Sequence, residues 1–121
     1  MARKNQLVSA GIWGSTAAAV LGAVATGLTA AGSTQGTALA LAAEVNVVGT
    51  TAASTGVLLP PSEAGDIVEV YNQGANALAV YPLTGENINA LAANAAFSVA
   101  AGKAATFRKV SGTAWVSILS A

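Results

Sequence analysis

The sequence contains no cysteine and no histidine. Without cysteine there are neither disulfides nor thiolate nucleophiles. Without histidine the commonest metal ligand and the usual general base near neutral pH are missing, and a Ser–His–Asp triad cannot be assembled. We therefore expect a protein that is not an enzyme and that binds no cofactor and no metal.

Charged residues are also scarce. Asp, Glu, Lys and Arg together make up 8% of the 121 residues, five acidic and five basic, and the net charge is zero; about 25% is typical of soluble domains. Five basic residues are too few for a broad phosphate-binding surface, so we expect no nucleic-acid partner. A surface with so little charge does not repel its own copies. This composition favours a chain that works inside an assembly.

Large hydrophobic side chains are few, although hydrophobic residues reach 54% of the chain. Alanine supplies 30 of them, and aromatic residues make up only 5% of the sequence. Burial of an alanine stabilises a fold far less than burial of a leucine, so a single subunit of this size has a thin core. Contacts between subunits are the natural supplement.

The N-terminal part of the chain is nearly free of charge. Lys4 and Glu44 bracket 39 uncharged residues, and residues 7–31 are mostly Ala, Gly, Ser and Thr. Three interpretations are open: an extended arm that docks on neighbouring chains, a membrane-spanning helix, and a signal peptide with a cleavage site at Ala23-Val24-Ala25. Repeated glycines, which destabilise a helix, and a scarcity of Leu, Ile and Phe favour the arm. We therefore predict an extended N-terminal arm over residues 1–35 and no membrane partner.

Four residues of this arm are candidate partner-binding residues: Arg3, Lys4, Ile12 and Trp13. Trp13 is the bulky anchor of the sequence Gly-Ile-Trp-Gly, and tryptophan is strongly enriched at interface hot spots. The alternative for Trp13 is packing on its own domain. The two basic side chains either contact an acidic partner surface or stay solvated.

From residue 36 onward the pattern becomes that of β-strands. Apolar residues alternate with other residues between Leu39 and Val47, which is the period of a half-buried strand. Short strands separated by turn signals about every 8 to 12 residues indicate an all-β sandwich or small barrel. We therefore predict an all-β domain over residues 36–121, a small β-barrel or β-sandwich, with Trp115 in its core.

Two hairpins are predicted within this domain. Asn72–Asn76 has the Asn and Gly composition of a hairpin turn, which predicts pairing of the strands on either side of it. The sequence Ala-Gly-Lys at residues 101–103 predicts a second hairpin in the same way. A third turn, at residues 111–113, leads into the final strand.

The charged residues after Glu44 fall into two groups. Glu63, Asp66 and Glu69 offer oxygen ligands of the kind that calcium binds, but no calcium-loop motif is present, so solvated side chains at strand ends are favoured over a metal site. Arg108 and Lys109 are adjacent strand residues that point to opposite faces and make no basic patch. They are expected to pair with acidic residues, either of a neighbouring subunit or of the same one.

The segments Gly65–Pro82 and Asn94–Lys103, with Gly85 and Ile88-Asn89 between them, carry a family resemblance. Residues 30–121 resemble small β-domain virion proteins of tailed bacteriophages, among them capsid decoration (cement) proteins. The resemblance implies a non-enzymatic trimer on a particle shell and supplies no catalytic or ligand-binding residues.

The resulting hypothesis is a phage capsid decoration protein of the virion. It would act as a homotrimer that stabilises the head by clamping neighbouring subunits of the major capsid protein. The alternatives are a head or tail fibre module that binds a receptor, and a small protein anchored in a membrane by residues 7–31.

Overall fold

The computed structural model describes residues 22–121. The regular secondary structure of this part is β throughout, without a helix, which confirms the predicted all-β class. Its ten strands are β1 (Val24–Thr29), β2 (Leu39–Ala40), β3 (Val45–Thr50), β4 (Gly56–Leu58), β5 (Ile67–Asn72), β6 (Leu78–Tyr81), β7 (Asn87–Ile88), β8 (Phe97–Val99), β9 (Ala104–Lys109) and β10 (Ala114–Leu119).

The strands form two sheets. The six-stranded sheet has the order β1-β3-β5-β9-β10-β7, and the four-stranded sheet has the order β2-β4-β6-β8. From β1 to β6 the chain alternates between the sheets, and successive strands within each sheet are parallel. Each turn around the two sheets is therefore one coil of a short β-solenoid. The predicted barrel or sandwich is wrong, because neither has this coiled path.

The two predicted hairpins at residues 72–76 and 101–103 are not formed. β5 pairs with β3 and β9, whereas β6 pairs with β4 and β8, so these consecutive strands lie in different sheets. The strands β8 and β9 are separated in the same way. A corner of a coil needs the same Gly and Asn residues as a hairpin turn, so composition does not distinguish them. The hairpin between β9 and β10 does form, with antiparallel pairing from Lys109–Trp115 onward.

Asn72 shows how a corner is held. Its side chain is 1% exposed, and its amide nitrogen donates hydrogen bonds to the carbonyls of Asn76 (2.8 Å) and Val99 (2.9 Å). Its Oδ1 accepts from the Thr51 hydroxyl at 2.8 Å and from the Gly74 N–H at 3.0 Å. One buried amide thus satisfies the backbone where the chain leaves the six-stranded sheet.

The alternating segment from Leu39 to Val47 is divided between two strands rather than forming one. β2 belongs to the four-stranded sheet and β3 to the six-stranded sheet. Leu41 and Ala43, which lie between them, stay buried at 5% and 8% exposure. The alternation therefore continues through the corner as far as Ala43 and reverses in β3, where Asn46 and Val48 are buried and Val45 and Val47 are only half-buried.

The two ends of the solenoid differ. At one end β9 and β8 run antiparallel to β5 and β6, which closes the stack of parallel strands. The edge strands at that end are β7 and β8. At the other end, which we call the open end, the edge strands are the parallel strands β1 and β2, with no strand on their outer side among residues 22–121. β1 lies within the segment that the sequence assigns to the arm, and Val24 pairs with Val45. The chain thus enters the sheet before residue 36.

The core lies between the two sheets. Phe107 and Trp115 are its largest apolar members, at 0% and 1% exposure, which confirms Trp115 as a core residue. The rings of Phe97 and Phe107 meet edge to face, with centroids 5.5 Å apart. Branched aliphatic side chains fill most of the rest: Val48, Val57, Leu59, Val68, Val70, Leu78, Val80, Ile88 and Val99.

Gly56 provides a test of the close contact between coils. A Cβ added there would lie 2.7 Å from the carbonyl oxygen of Ala79 and 2.9 Å from Cε2 of Tyr81. We expect Gly56→Ala to lower the free energy of unfolding by about 1 to 3 kcal/mol, because the backbone must shift. In Gly36→Ala, the control, the added Cβ meets nothing within 4 Å. Denaturant unfolding of both variants makes the measurement, and equal stabilities would contradict the stacking of β4 on β6.

Candidate functional site

The six-stranded sheet has one face against the core and one face turned away from it. Along β5 the side chains of Val68, Val70 and Asn72 are buried, whereas Ile67 and Tyr71 are exposed. Successive side chains of a strand point to opposite faces. The pairing register therefore gives β3, β9 and β10 the same two sides, one toward the core and one away from it.

The face turned away from the core is mostly apolar. Ile118 is 77% exposed, Val24 63% and Val116 45%, and contiguous exposed apolar surface of this kind marks interaction sites. Register places the residues of this surface side by side across β1, β3, β5, β9 and β10. We call it the outer face, and its residues are Val24, Val45, Val47, Ile67, Glu69, Tyr71, Thr106, Arg108, Val116 and Ile118.

Two charged side chains of opposite sign lie on the outer face. Glu69 is opposite Val45 on one side and Thr106 on the other. Arg108 is opposite Ile67 and Val116. Within residues 22–121, the side chains of Glu69 and Arg108 do not form an ion pair closer than 4.0 Å.

Tyr71 fixes the position of the Glu69 carboxylate. The Tyr71 hydroxyl donates a hydrogen bond of 3.0 Å to Glu69 Oε1. This hydrogen bond, the negative charge of Glu69 and, least, burial raise the pKa of Tyr71 above its usual value of 10.0. The phenol therefore stays a proton donor over the neutral range, and the carboxylate is held on the outer face.

A second charged group lies inside the protein. The Lys109 Nζ is 2.6 Å from Glu86 Oε2, and the Trp115 indole N–H donates to Glu86 Oε1 at 2.9 Å. Lys109 is 2% exposed, and its Nζ lies 5.3 Å from the centre of the Trp115 ring. Both carboxylate oxygens are thus satisfied within the core, and the group joins β9 and β10 to the segment before β7.

This arrangement decides between the two expectations for Lys109 alone. Arg108 is exposed and Lys109 is buried, so they do point to opposite faces of β9. Lys109 pairs with Glu86 of the same subunit, which leaves it no role in contacting a partner. Arg108 remains available on the outer face.

The acidic residues Glu63, Asp66 and Glu69 do not converge on one point. Asp66 Oδ2 accepts a hydrogen bond from the Glu63 N–H at 2.9 Å, which closes a turn, whereas Glu69 bonds to Tyr71. Within the described residues no group of three or more His, Cys, Asp or Glu side chains is placed to hold a metal ion.

The predicted partner-binding residues Arg3, Lys4, Ile12 and Trp13 lie outside the described residues. The outer face is a candidate that sequence reasoning missed. In the part of the chain that the structure describes, no helix is long and apolar enough to cross a membrane.

Two cavities of the described part are small. One of about 160 Å³ is lined by residues that include Glu44, Pro60 and Asp66, and another of about 210 Å³ lies beside Leu28 and Asn46. Pockets for small-molecule ligands usually measure about 300 to 1,000 Å³. The broad outer face is therefore a better candidate for recognition than either cavity.

Comparison with known proteins supplies no relative. The chain matches no protein-family model, no curated protein and no solved structure.

Proposed function

We propose that this chain is a capsid decoration protein of a tailed bacteriophage, which associates as a homotrimer on the virion and clamps neighbouring major capsid subunits. The observation that carries the proposal is the outer face, a largely apolar sheet surface in a chain with zero net charge. An exposed apolar surface of this kind marks a site that another protein covers. The scarcity of catalytic side chains agrees with a role through contacts alone.

The clamp itself is assigned to the open end of the solenoid. Among residues 22–121 no strand lies on the outer side of β1, and an edge strand of this kind can pair with a strand of another protein. The predicted arm joins the sheet at this edge. Fully extended, its first 21 residues would reach about 70 Å, enough to bridge adjacent capsid subunits. A bound copy stabilises the shell by mass action, without chemistry.

A receptor-binding fibre module is less well supported. Glycan recognition commonly uses exposed aromatic side chains on loops, whereas the large hydrophobic side chains exposed on loops of the described part are the aliphatic Leu91 and Val110. Tyr71, an exposed aromatic residue, lies within β5.

The test is binding to phage heads assembled without this protein. Heads are incubated with increasing concentrations of the full chain, sedimented, and the bound copies counted. We expect saturable binding, with a copy number set by the symmetry of the shell. Heads that carry the protein should resist heat or low salt better than heads without it. Heads that bind no protein at micromolar concentrations would overturn the proposal.

A further inference from the structure

We infer that the outer face is the surface through which copies of this chain contact one another. This inference rests on the homotrimer of the proposed function. It deepens that function because it assigns the contact between copies to one face. The open end is then left for the capsid.

The outer face carries a continuous row of side chains. Register places Val45, Glu69, Thr106 and Ile118 in one row across four strands. Val24 extends this row at the β1 edge. The two ends of the row, Val24 and Ile118, are the most exposed of the large apolar side chains in the described part. A row that runs from the β1 edge to β10, with apolar side chains at both ends, suits a broad partner surface rather than a single inserted side chain.

The outer face also carries charge. A charge that is buried without a partner is strongly destabilising, so a surface that offers a cation to Glu69 and an anion to Arg108 is favoured as a cover. A second copy carries this pair of charges at the matching place. Arg108 of one copy can meet Glu69 of the next, and the contact repeats around a symmetry axis.

The Glu69 carboxylate is oriented by its neighbour on β5. The Tyr71 hydroxyl donates a hydrogen bond of 3.0 Å to Glu69 Oε1, and a guanidinium of a second copy can donate to Oε2. The carboxylate is therefore oriented before association, which lowers the entropy lost on pairing.

The experiment measures mass in solution by sedimentation velocity at micromolar concentrations. The test variant is Ile118→Lys and the matched control is Leu91→Lys, since Leu91 is also exposed but lies outside the outer face. We expect the wild-type chain and the control to be oligomeric and Ile118→Lys to dissociate, with affinity reduced at least tenfold. An unchanged mass for a folded Ile118→Lys, or a monomeric wild-type chain, would overturn the inference.

A charge exchange keeps the test decisive even where Ile118→Lys does not fold. Glu69→Arg and Arg108→Glu should each weaken association, and the double variant should restore it. Failure of the double variant to associate better than either single variant would count against the contact. Head binding is measured separately: heads that bind nothing while the chain remains oligomeric through this face would overturn the capsid role alone.

Discussion

Replacing Lys109 with methionine should lower the free energy of unfolding by about 3 to 5 kcal/mol, because the Glu86 carboxylate would be left buried without its cation. Glu86 Oε1 would keep the Trp115 indole N–H, but Oε2 would lose its bond of 2.6 Å to Lys109. Since β9 and β10 both depend on this group, we expect the loss to appear as one cooperative unfolding transition at lower denaturant concentration.

Two further variants distinguish a lost charge pair from a lost side chain. The double variant Glu86→Gln with Lys109→Met removes both charges but keeps an oxygen for the Trp115 indole, and should recover most of the stability. Lys103→Met is the control, because the Lys103 ammonium bonds to the terminal carbonyl at the exposed Ala121; it should cost less than about 1 kcal/mol. A single Lys109→Met variant as stable as this control would refute a structural role for the buried pair.

Removal of residues 2–21 should leave the sheets folded and weaken attachment to phage heads. Folding should persist because the strand nearest the N-terminus among the described residues, β1, begins at Val24. Attachment should weaken because the arm contributes long-range contacts. Trp13→Ala alone should cost roughly 2 to 4 kcal/mol of attachment, the effect expected of an aromatic hot spot in a pocket.

The measurement is the occupancy of heads against protein concentration, with circular dichroism as the check on folding. Ser15→Ala, a small change in the same arm, is the control and should bind as the unaltered chain does. If the truncated chain unfolds, the arm is part of the fold. If truncated and full-length chains bind heads equally well, the arm has no role in clamping.

Part of the fold was predictable from local sequence. Period-two patterns locate most of the strands, and the turn at residues 111–113 does join an antiparallel pair. The path between the sheets was not predictable, because the corner at Asn72 has the same residue composition as a hairpin turn. Whether a strand returns beside its predecessor or crosses to the other sheet depends on long-range contacts, such as those of the Asn72 amide with Val99.

The outer face and the buried Lys109–Glu86 pair differ in how far the sequence could predict them. β10 carries Trp115 toward the core and Val116 and Ile118 away from it, so a strand that is apolar on both faces was a readable sign of a covered outer face. Burial of Lys109 had no such sign, because it depends on Glu86, 23 residues away in the chain. The importance of Arg3, Lys4, Ile12 and Trp13 stays a prediction from sequence.

The most direct test of the account is a cryo-electron microscopy map of phage heads saturated with the full chain. The account predicts density for three copies around a threefold or local threefold position, with the outer faces of their six-stranded sheets in mutual contact and the β1 edges directed toward neighbouring capsid subunits. Heads without added density, or single copies bound with the outer face against the capsid, would contradict it.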